Sequence, residues 1–76
     1  MDLHRAVIER IKDIIELKGI TVNEAAVRSK VPSSTLKNIL YGNSRNVGIV
    51  TIKKLCDGLG ISVQEFFEDI IFENLR

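Results

Sequence analysis

The chain has 76 residues, of which 45% are hydrophobic and 28% charged, and its formal net charge is +1. This length predicts one domain over residues 1–76, and the balance of apolar and charged residues excludes a disordered tail. No apolar run approaches the roughly 20 residues of a membrane span and the N-terminus lacks a signal peptide, so we expect a cytoplasmic protein without membrane contact.

The first two helices are bounded by recognisable start and stop signals. Isoleucine and valine recur at helical spacing from about Asp2 to Lys18, opposite charged residues, which predicts helix one. Gly19 is a natural left-handed terminator. Thr21-x-x-Glu24 matches a capping box and predicts the start of helix two.

A tight turn and a third helix follow. The turn is predicted at residues 29–31, and Pro32 suits the first turn of helix three because no backbone N–H is needed there. Leu36, Ile39 and Leu40 form its inward stripe, and Gly42 ends it. The outward face carries small hydrogen-bonding groups and one lysine, which suits it to reading the edges of DNA bases. The working hypothesis is therefore a helix-turn-helix at helices two and three.

Two further helices complete the predicted fold. Helix four is predicted over residues 49–59, with Cys56 on its apolar face. A single cysteine cannot form an internal disulfide, and core packing is favoured for it over reactivity. Ser62-x-x-Glu65 is a second capping box, and helix five is predicted from there to about Asn74. Because no strand signal occurs, the predicted fold is a compact all-α unit of five helices.

The small net charge hides an uneven distribution. Residues 21–46 hold four basic side chains and one acidic side chain, a net +3, whereas residues 61–76 hold four acidic and one basic, a net −3. The positive charge thus coincides with the two-helix motif, which supports attraction to the phosphates of a nucleic acid.

Four parts of the sequence carry a family resemblance: residues 18–21 (Lys-Gly-Ile-Thr), 31–36 (Val-Pro-Ser-Ser-Thr-Leu), Gly42, and 59–67 (Leu-Gly-Ile-Ser-Val-Gln-Glu-Phe-Phe). Their order and spacing resemble those of the lambda-repressor-like, or Cro and XRE-type, helix-turn-helix DNA-binding domains. The resemblance implies a five-helix fold in which helix three, about residues 32–41, lies in the major groove of double-stranded DNA. It also implies a sequence-specific transcriptional regulator of repressor type.

Base contacts are implied at the first residues of helix three and on its outer face one turn later, which here are Ser33, Ser34, Lys37 and Asn38. Asn38 is able to pair with adenine through two hydrogen bonds and Lys37 to donate to guanine, each providing about 1–3 kcal/mol of discrimination. Backbone N–H groups beside the two serines also favour a phosphate. The alternatives are that the serines only cap the helix and that Lys37 and Asn38 are merely solvated.

Phosphate contacts are implied near the start of helix two and in the loop after helix three, at Asn23, Tyr41, Asn43, Ser44 and Arg45. Basic side chains at Arg28, Lys30 and Arg45 would add attraction that is independent of base sequence. Tyr41 lies seven residues after Ser34 and therefore shares its helical face. Packing of Tyr41 over Leu40 and the loop is an equal alternative.

Three residues depart from the pattern of the resembled family. Val22 stands where the family often has glutamine, and it has no side-chain donor for a phosphate or a base. Lys30 stands where the turn often has glycine, so we expect a left-handed residue that is not glycine. Ser29 replaces a large apolar residue that is usual near the turn.

The predicted last helix carries more apolar side chains than one small core should absorb. We expect a twofold homodimer through this helix, with the candidate interface residues Phe67, Ile70, Ile71, Phe72 and Leu75. Two recognition helices would then reach successive major grooves, roughly 34 Å apart. The alternative is a monomer that exposes apolar surface.

Two other classes of function compete with DNA binding. The acidic, aromatic C-terminus motivates a protein-interaction module, such as the antitoxin of a toxin–antitoxin pair, with a protein partner. An enzyme is not expected, because the chain has one histidine, one cysteine, no glycine-rich phosphate loop and no paired carboxylates facing a pocket. His4 stands apart from any cysteine or histidine cluster, so neither a metal nor another cofactor is predicted.

Overall fold

Five α-helices and one short 3-10 helix make up the fold. The structure, a computed structural model, describes residues 1–42, 46–73 and 75. Its helices are α1 (Leu3–Lys18), α2 (Val22–Ser29), α3 (Ser33–Tyr41), α4 (Ile49–Leu59) and α5 (Val63–Phe67), followed by the 3-10 helix (Ile70–Phe72). No strand occurs in these described residues. The all-α, five-helix prediction is confirmed, and α4 has the predicted bounds.

Both predicted capping boxes are present. The Thr21 hydroxyl accepts a 3.0 Å hydrogen bond from the Glu24 backbone N–H, and the Glu24 carboxylate accepts one of 3.3 Å from the Thr21 N–H. Ser62 and Glu65 form the same reciprocal pair at 3.0 and 3.1 Å. Gly19 ends α1 in the left-handed conformation, at φ 66°. These local signals therefore determine where α1 ends and where α2 and α5 begin.

The prediction that helix five continues to about Asn74 is wrong, because α5 ends at Phe67. Asp69 interrupts the helix with an extended backbone at φ −71° and ψ 147°. Its carboxylate accepts a 2.9 Å hydrogen bond from the backbone N–H of Ile71. A side chain that satisfies a nearby N–H in this way competes with helical bonding, so the chain turns and restarts as the 3-10 helix. Asn74 itself lies outside the described residues.

All five α-helices contribute to one apolar core. Its largest fully buried side chains are those of Phe66, Ile11, Leu36, Leu55 and Cys56. Burial raises the pKa of the Cys56 thiol, so the thiol stays protonated and packs as a small apolar group, as predicted. Over the described ranges, no helix has the length and apolar character needed to cross a membrane.

Helices α2 and α4 pack closely where Ser29 faces Gly58. A Cβ atom added to Gly58 would lie 2.6 Å from both the Cα and the backbone N of Ser29, so glycine is what permits this approach. Ser29 is buried, and its hydroxyl has no hydrogen-bond partner among the described residues. At the position of Ser29 the resembled family usually has a large apolar residue. In this chain α4 lies so close to α2 that little room is left there for a side chain.

We expect Ser29→Ala to raise the free energy of unfolding by about 1 kcal/mol, because it removes a buried hydroxyl that is left without a partner. Urea unfolding followed by circular dichroism measures the change. Ser34→Ala is the matched control, since the Ser34 side chain is exposed and its loss should change stability by less than about 0.5 kcal/mol. A lower stability for Ser29→Ala than for the wild type would contradict the expectation.

Arg10 ties the C-terminal part of the chain to α1. Its Nε donates a 2.8 Å hydrogen bond to the Phe66 carbonyl, and Nη2 donates one of 2.9 Å to the Glu65 carbonyl. Its Nη1 lies 3.1 Å from the Asp69 carboxylate, and 14% of the Arg10 side chain is exposed. The mostly buried side chain of Arg10 thus holds both the end of α5 and Asp69, which interrupts it.

Candidate nucleic-acid interface

A short turn joins α2 to α3 with Lys30 in the left-handed conformation, at φ 57°. The backbone N–H of Lys30 donates to the Val27 carbonyl at 3.2 Å, and that of Val31 donates to the Ala26 carbonyl at 3.0 Å. These bonds satisfy the last carbonyls of α2, in the way that helices commonly end. The expected left-handed residue that is not glycine is therefore Lys30.

The first turn of α3 has no side-chain cap. Pro32 is the N-cap residue, and no side chain accepts a hydrogen bond from the helix N-terminus. The alternative that Ser33 and Ser34 cap the helix is wrong, because both lie inside it. Ser33 is half-buried and Ser34 is exposed. A helix N-terminus with uncapped N–H groups and a hydroxyl beside them suits an anionic oxygen.

The two faces of α3 differ as the sequence predicts. Leu36, Ile39 and Leu40 are buried in the core. The opposite face is exposed at the predicted helical spacing, through Ser34, Lys37, Asn38 and Tyr41. Of the four proposed base contacts, Ser34, Lys37 and Asn38 are therefore exposed, whereas Ser33 is half-buried.

Asn38 lies against the end of its own helix. The backbone N–H of Gly42 donates a 2.9 Å hydrogen bond to the Asn38 carbonyl. A Cβ atom added to Gly42 would collide with the Asn38 side-chain oxygen. Gly42 has an extended backbone at φ −99°, so the glycine provides space for Asn38 and not a left-handed turn.

The residues predicted to contact phosphates divide into two groups. Four are exposed in the described part of the chain, namely Asn23, Arg28, Lys30 and Tyr41. The other three, Asn43, Ser44 and Arg45, lie outside the described residues. Within the part of the chain that the structure describes, neither Arg28 nor Lys30 forms an ion pair. Both cations are therefore available to phosphates.

Lys12 of α1 reaches the same surface, which sequence reasoning missed. Its Nζ lies 4.8 Å from the centroid of the Tyr41 ring. The two alternatives predicted for Tyr41, a phosphate contact or packing over Leu40 and the loop, did not include this contact. The two side chains line a groove of about 400 Å³ together with Val22. No local pattern joins residues 12 and 41, because their contact depends on how α1 crosses α3.

The candidate dimer residues fall into distinct environments. Phe67 and Phe72 pack against the core of their own chain, with ring centroids 5.0 Å apart. Ile70 is 77% exposed, whereas Ile71 and Leu75 are half-buried. The apolar side chains of the C-terminal segment therefore pack largely within their own chain, and Ile70 is the most exposed of them.

Comparison with known proteins agrees with this geometry. A family model of Cro/C1-type HTH DNA-binding domains matches residues 10–70. The chain is also similar to a solved structure described as the crystal structure of the prophage Lp1 protein 11. The two are 30% identical, with a TM-score of 0.82, and the comparison covers 99% of this chain and 100% of that chain. No curated protein matches the chain.

Proposed function

The chain belongs to the family of Cro/C1-type helix-turn-helix DNA-binding domains, and we propose that it is a sequence-specific transcriptional regulator of repressor type. Its recognition helix is α3, which enters the major groove while α2 crosses above it. The observation that supports this most is the exposed polar face of α3 opposite a fully apolar, buried face. A helix N-terminus without a side-chain cap lies at one end of that face.

The proposed base contacts are Ser33, Ser34, Lys37 and Asn38. The Asn38 amide has an NH2 group that donates and a carbonyl oxygen that accepts, and these complement the N7 acceptor and the N6 donor of adenine in the major groove. Lys37 is exposed and donates to guanine O6 or N7. Ser34 is exposed beside the uncapped N–H groups of α3, where its hydroxyl meets a base edge or the adjoining phosphate.

The proposed phosphate contacts surround this reading face. Asn23 and Arg28 come from α2, Lys30 from the turn, and Tyr41 from the end of α3. Asn43, Ser44 and Arg45, which follow α3 in the sequence and lie outside the described residues, complete the proposed set. Because these groups recognise the backbone, their contribution to affinity is independent of sequence. The contribution of the basic side chains among them is also sensitive to salt.

We further propose that two chains bind one site as a homodimer through the C-terminal segment, whose candidate residues are Phe67, Ile70, Ile71, Phe72 and Leu75. Ile70 is the most exposed of these side chains, so it offers the largest apolar contact to a second chain. Selection of bound sequences from a random duplex pool tests this directly. A dimer predicts a palindromic site with half-sites roughly 34 Å apart, whereas a single half-site would contradict it.

Asn38→Ala is expected to weaken binding to the selected site by about 1–3 kcal/mol and to leave binding to unrelated duplexes nearly unchanged, because the amide reads one base. Fluorescence anisotropy on both duplexes measures the difference. Arg28→Ala is the contrasting control and should weaken both alike. Circular dichroism verifies the fold, since Asn38 also contacts Gly42.

Equal losses on both duplexes would show that Asn38 is not a base reader. If the wild-type chain bound no duplex in a salt-dependent way, the regulator proposal would be wrong. Capture of a specific protein partner in that case would favour the interaction module.

A further inference from the structure

We propose that Lys12 of α1 is an additional DNA phosphate contact, held at the edge of the recognition surface by the ring of Tyr41. This proposal rests on the proposed function, since it adds a residue from a third helix to the same DNA-binding surface. Neither the family pattern nor the charge of the two-helix motif identifies Lys12, which belongs to residues 1–20, where four basic and four acidic side chains balance.

The contact with Tyr41 places Lys12 beside the outward face of α3, the face proposed to contact DNA. Tyr41 follows Ser34 by seven residues, so its side chain extends from the outward face of α3, and 67% of it is exposed. The Lys12 ammonium lies 4.8 Å from the ring centroid, within the distance of about 6 Å at which a cation is attracted to an aromatic face. Tyr41 thereby keeps the ammonium next to the C-terminal end of α3.

Among the described residues that line the groove beneath this pair, no other side chain is positively charged. Its lining includes Lys12, Tyr41 and Val22, and Lys12 is the single basic side chain among the described residues that line it. Val22 occupies the start of α2, close to the place where a phosphate contact is expected, and it has no polar side-chain atom. The Lys12 ammonium provides the charge-assisted hydrogen bond that Val22 is unable to donate.

Two carboxylates near Lys12, those of Glu9 and Glu16, would repel a bound phosphate. The Glu9 carboxylate already forms an ion pair with Arg5. The Glu9 carboxylate lies 2.8 Å from Arg5 Nη2 but 3.9 Å from Lys12 Nζ. Arg5 is therefore its closer partner, and the longer Lys12–Glu9 ion pair is the weaker contact that an incoming phosphate would have to replace. Glu16 also lines the groove, so we infer one phosphate contact through one ammonium and not a broad positive field.

Lys12→Gln tests the proposal in binding titrations at several salt concentrations. The slope of log K against log salt is expected to fall in magnitude by about one, because one fewer counterion is released on binding. Affinity at low salt is expected to fall by about tenfold, equally on the selected duplex and on an unrelated one.

Lys53→Gln is the matched control. It removes the same charge from α4, where Lys53 Nζ is held 2.6 Å from the Asp57 carboxylate, and it should leave the salt slope unchanged. Lys12→Arg keeps both the charge and the attraction to the ring and should retain the wild-type slope. Thermal unfolding of each variant, followed by circular dichroism, separates a loss of fold from a loss of contact.

The role of the ring is tested by combining substitutions. In the Tyr41→Phe background, Lys12→Gln should keep its full effect, because the aromatic face is retained. In the Tyr41→Leu background its effect should shrink, because the ammonium is no longer held in place. An undiminished effect in Tyr41→Leu would overturn the proposed role of the ring.

The outcomes distinguish this proposal from the proposed function. If the wild type binds its selected duplex and Lys12→Gln has the same salt slope, Lys12 is not a phosphate contact and the regulator proposal stands. A loss confined to the selected duplex would assign Lys12 to base reading and would also overturn the proposal. No salt-dependent binding by the wild type would overturn both.

Discussion

Gly58→Ala is expected to lower the free energy of unfolding by about 3 kcal/mol. In an exposed helix the same change would stabilise the protein by about 1 kcal/mol, because alanine has the higher helix propensity. Here the new Cβ would lie 2.6 Å from the Cα and N atoms of Ser29, which belong to the backbone and are unable to rotate away. Helices α2 and α4 would have to separate. The steric cost therefore outweighs the propensity gain.

Such a loss is large for a domain of this size, whose total stability is expected to be about 4–11 kcal/mol. Urea unfolding at constant temperature measures it. Gly48→Ala is the control, because a Cβ atom there has no neighbour within 4 Å and the backbone angle of φ −64° is ordinary. It should cost about 1 kcal/mol at most, as a change at a helix N-cap.

The double variant Ser29→Gly, Gly58→Ala identifies the atoms responsible. If the obstacle is the backbone of Ser29, removing its side chain will not restore stability. Full recovery in the double variant would mean that the serine hydroxyl is the obstacle, and the proposed backbone contact would be wrong. Because α2 is one half of the helix-turn-helix, DNA affinity should fall together with stability in Gly58→Ala.

The ends of most helices could be predicted from the sequence because the responsible interactions are local. The capping boxes at Thr21 and Ser62 each join residues three positions apart. The left-handed conformation of Lys30 follows from the short turn between two amphipathic helices, whatever residue occupies it. The outward face of α3 was also predictable, since burial of Leu36 determines which side chains point away from the core.

Interactions between distant residues explain what the sequence did not predict. The departure at Ser29 was visible, but its cause is Gly58 on another helix. Lys12 looked like an ordinary polar residue of α1 until the fold brought it to Tyr41. The capping box at Ser62 predicted the start of α5 correctly, whereas the chain beyond its end is held by the local Asp69–Ile71 hydrogen bond together with the contact of Asp69 with Arg10 of α1.

Arg10→Ala is expected to lower the free energy of unfolding by about 3 kcal/mol, because three hydrogen bonds of one guanidinium are lost together. The substitution leaves the Glu65 and Phe66 carbonyls and the Asp69 carboxylate without their donor. Asp69 is partly exposed, at 33% of its side chain, so water replaces part of that contact and the loss is smaller than three full bonds. Chemical denaturation measures the total.

One further variant shows whether the stabilisation by Arg10 comes from the forked geometry of its guanidinium or from its charge alone, and a second variant is the control. Arg10→Lys keeps the charge but offers one nitrogen in place of three, so it should recover only a minor part of the stability. Arg5→Ala removes an exposed arginine of the same helix and should cost less than about 0.5 kcal/mol. In Arg10→Ala, hydrogen exchange should quicken first at the 3-10 helix, including the Phe72 amide, because Asp69 at the start of that segment loses its hydrogen bond to α1. Wild-type stability in Arg10→Lys would contradict this account, since a single ammonium would then suffice to hold the end of α5.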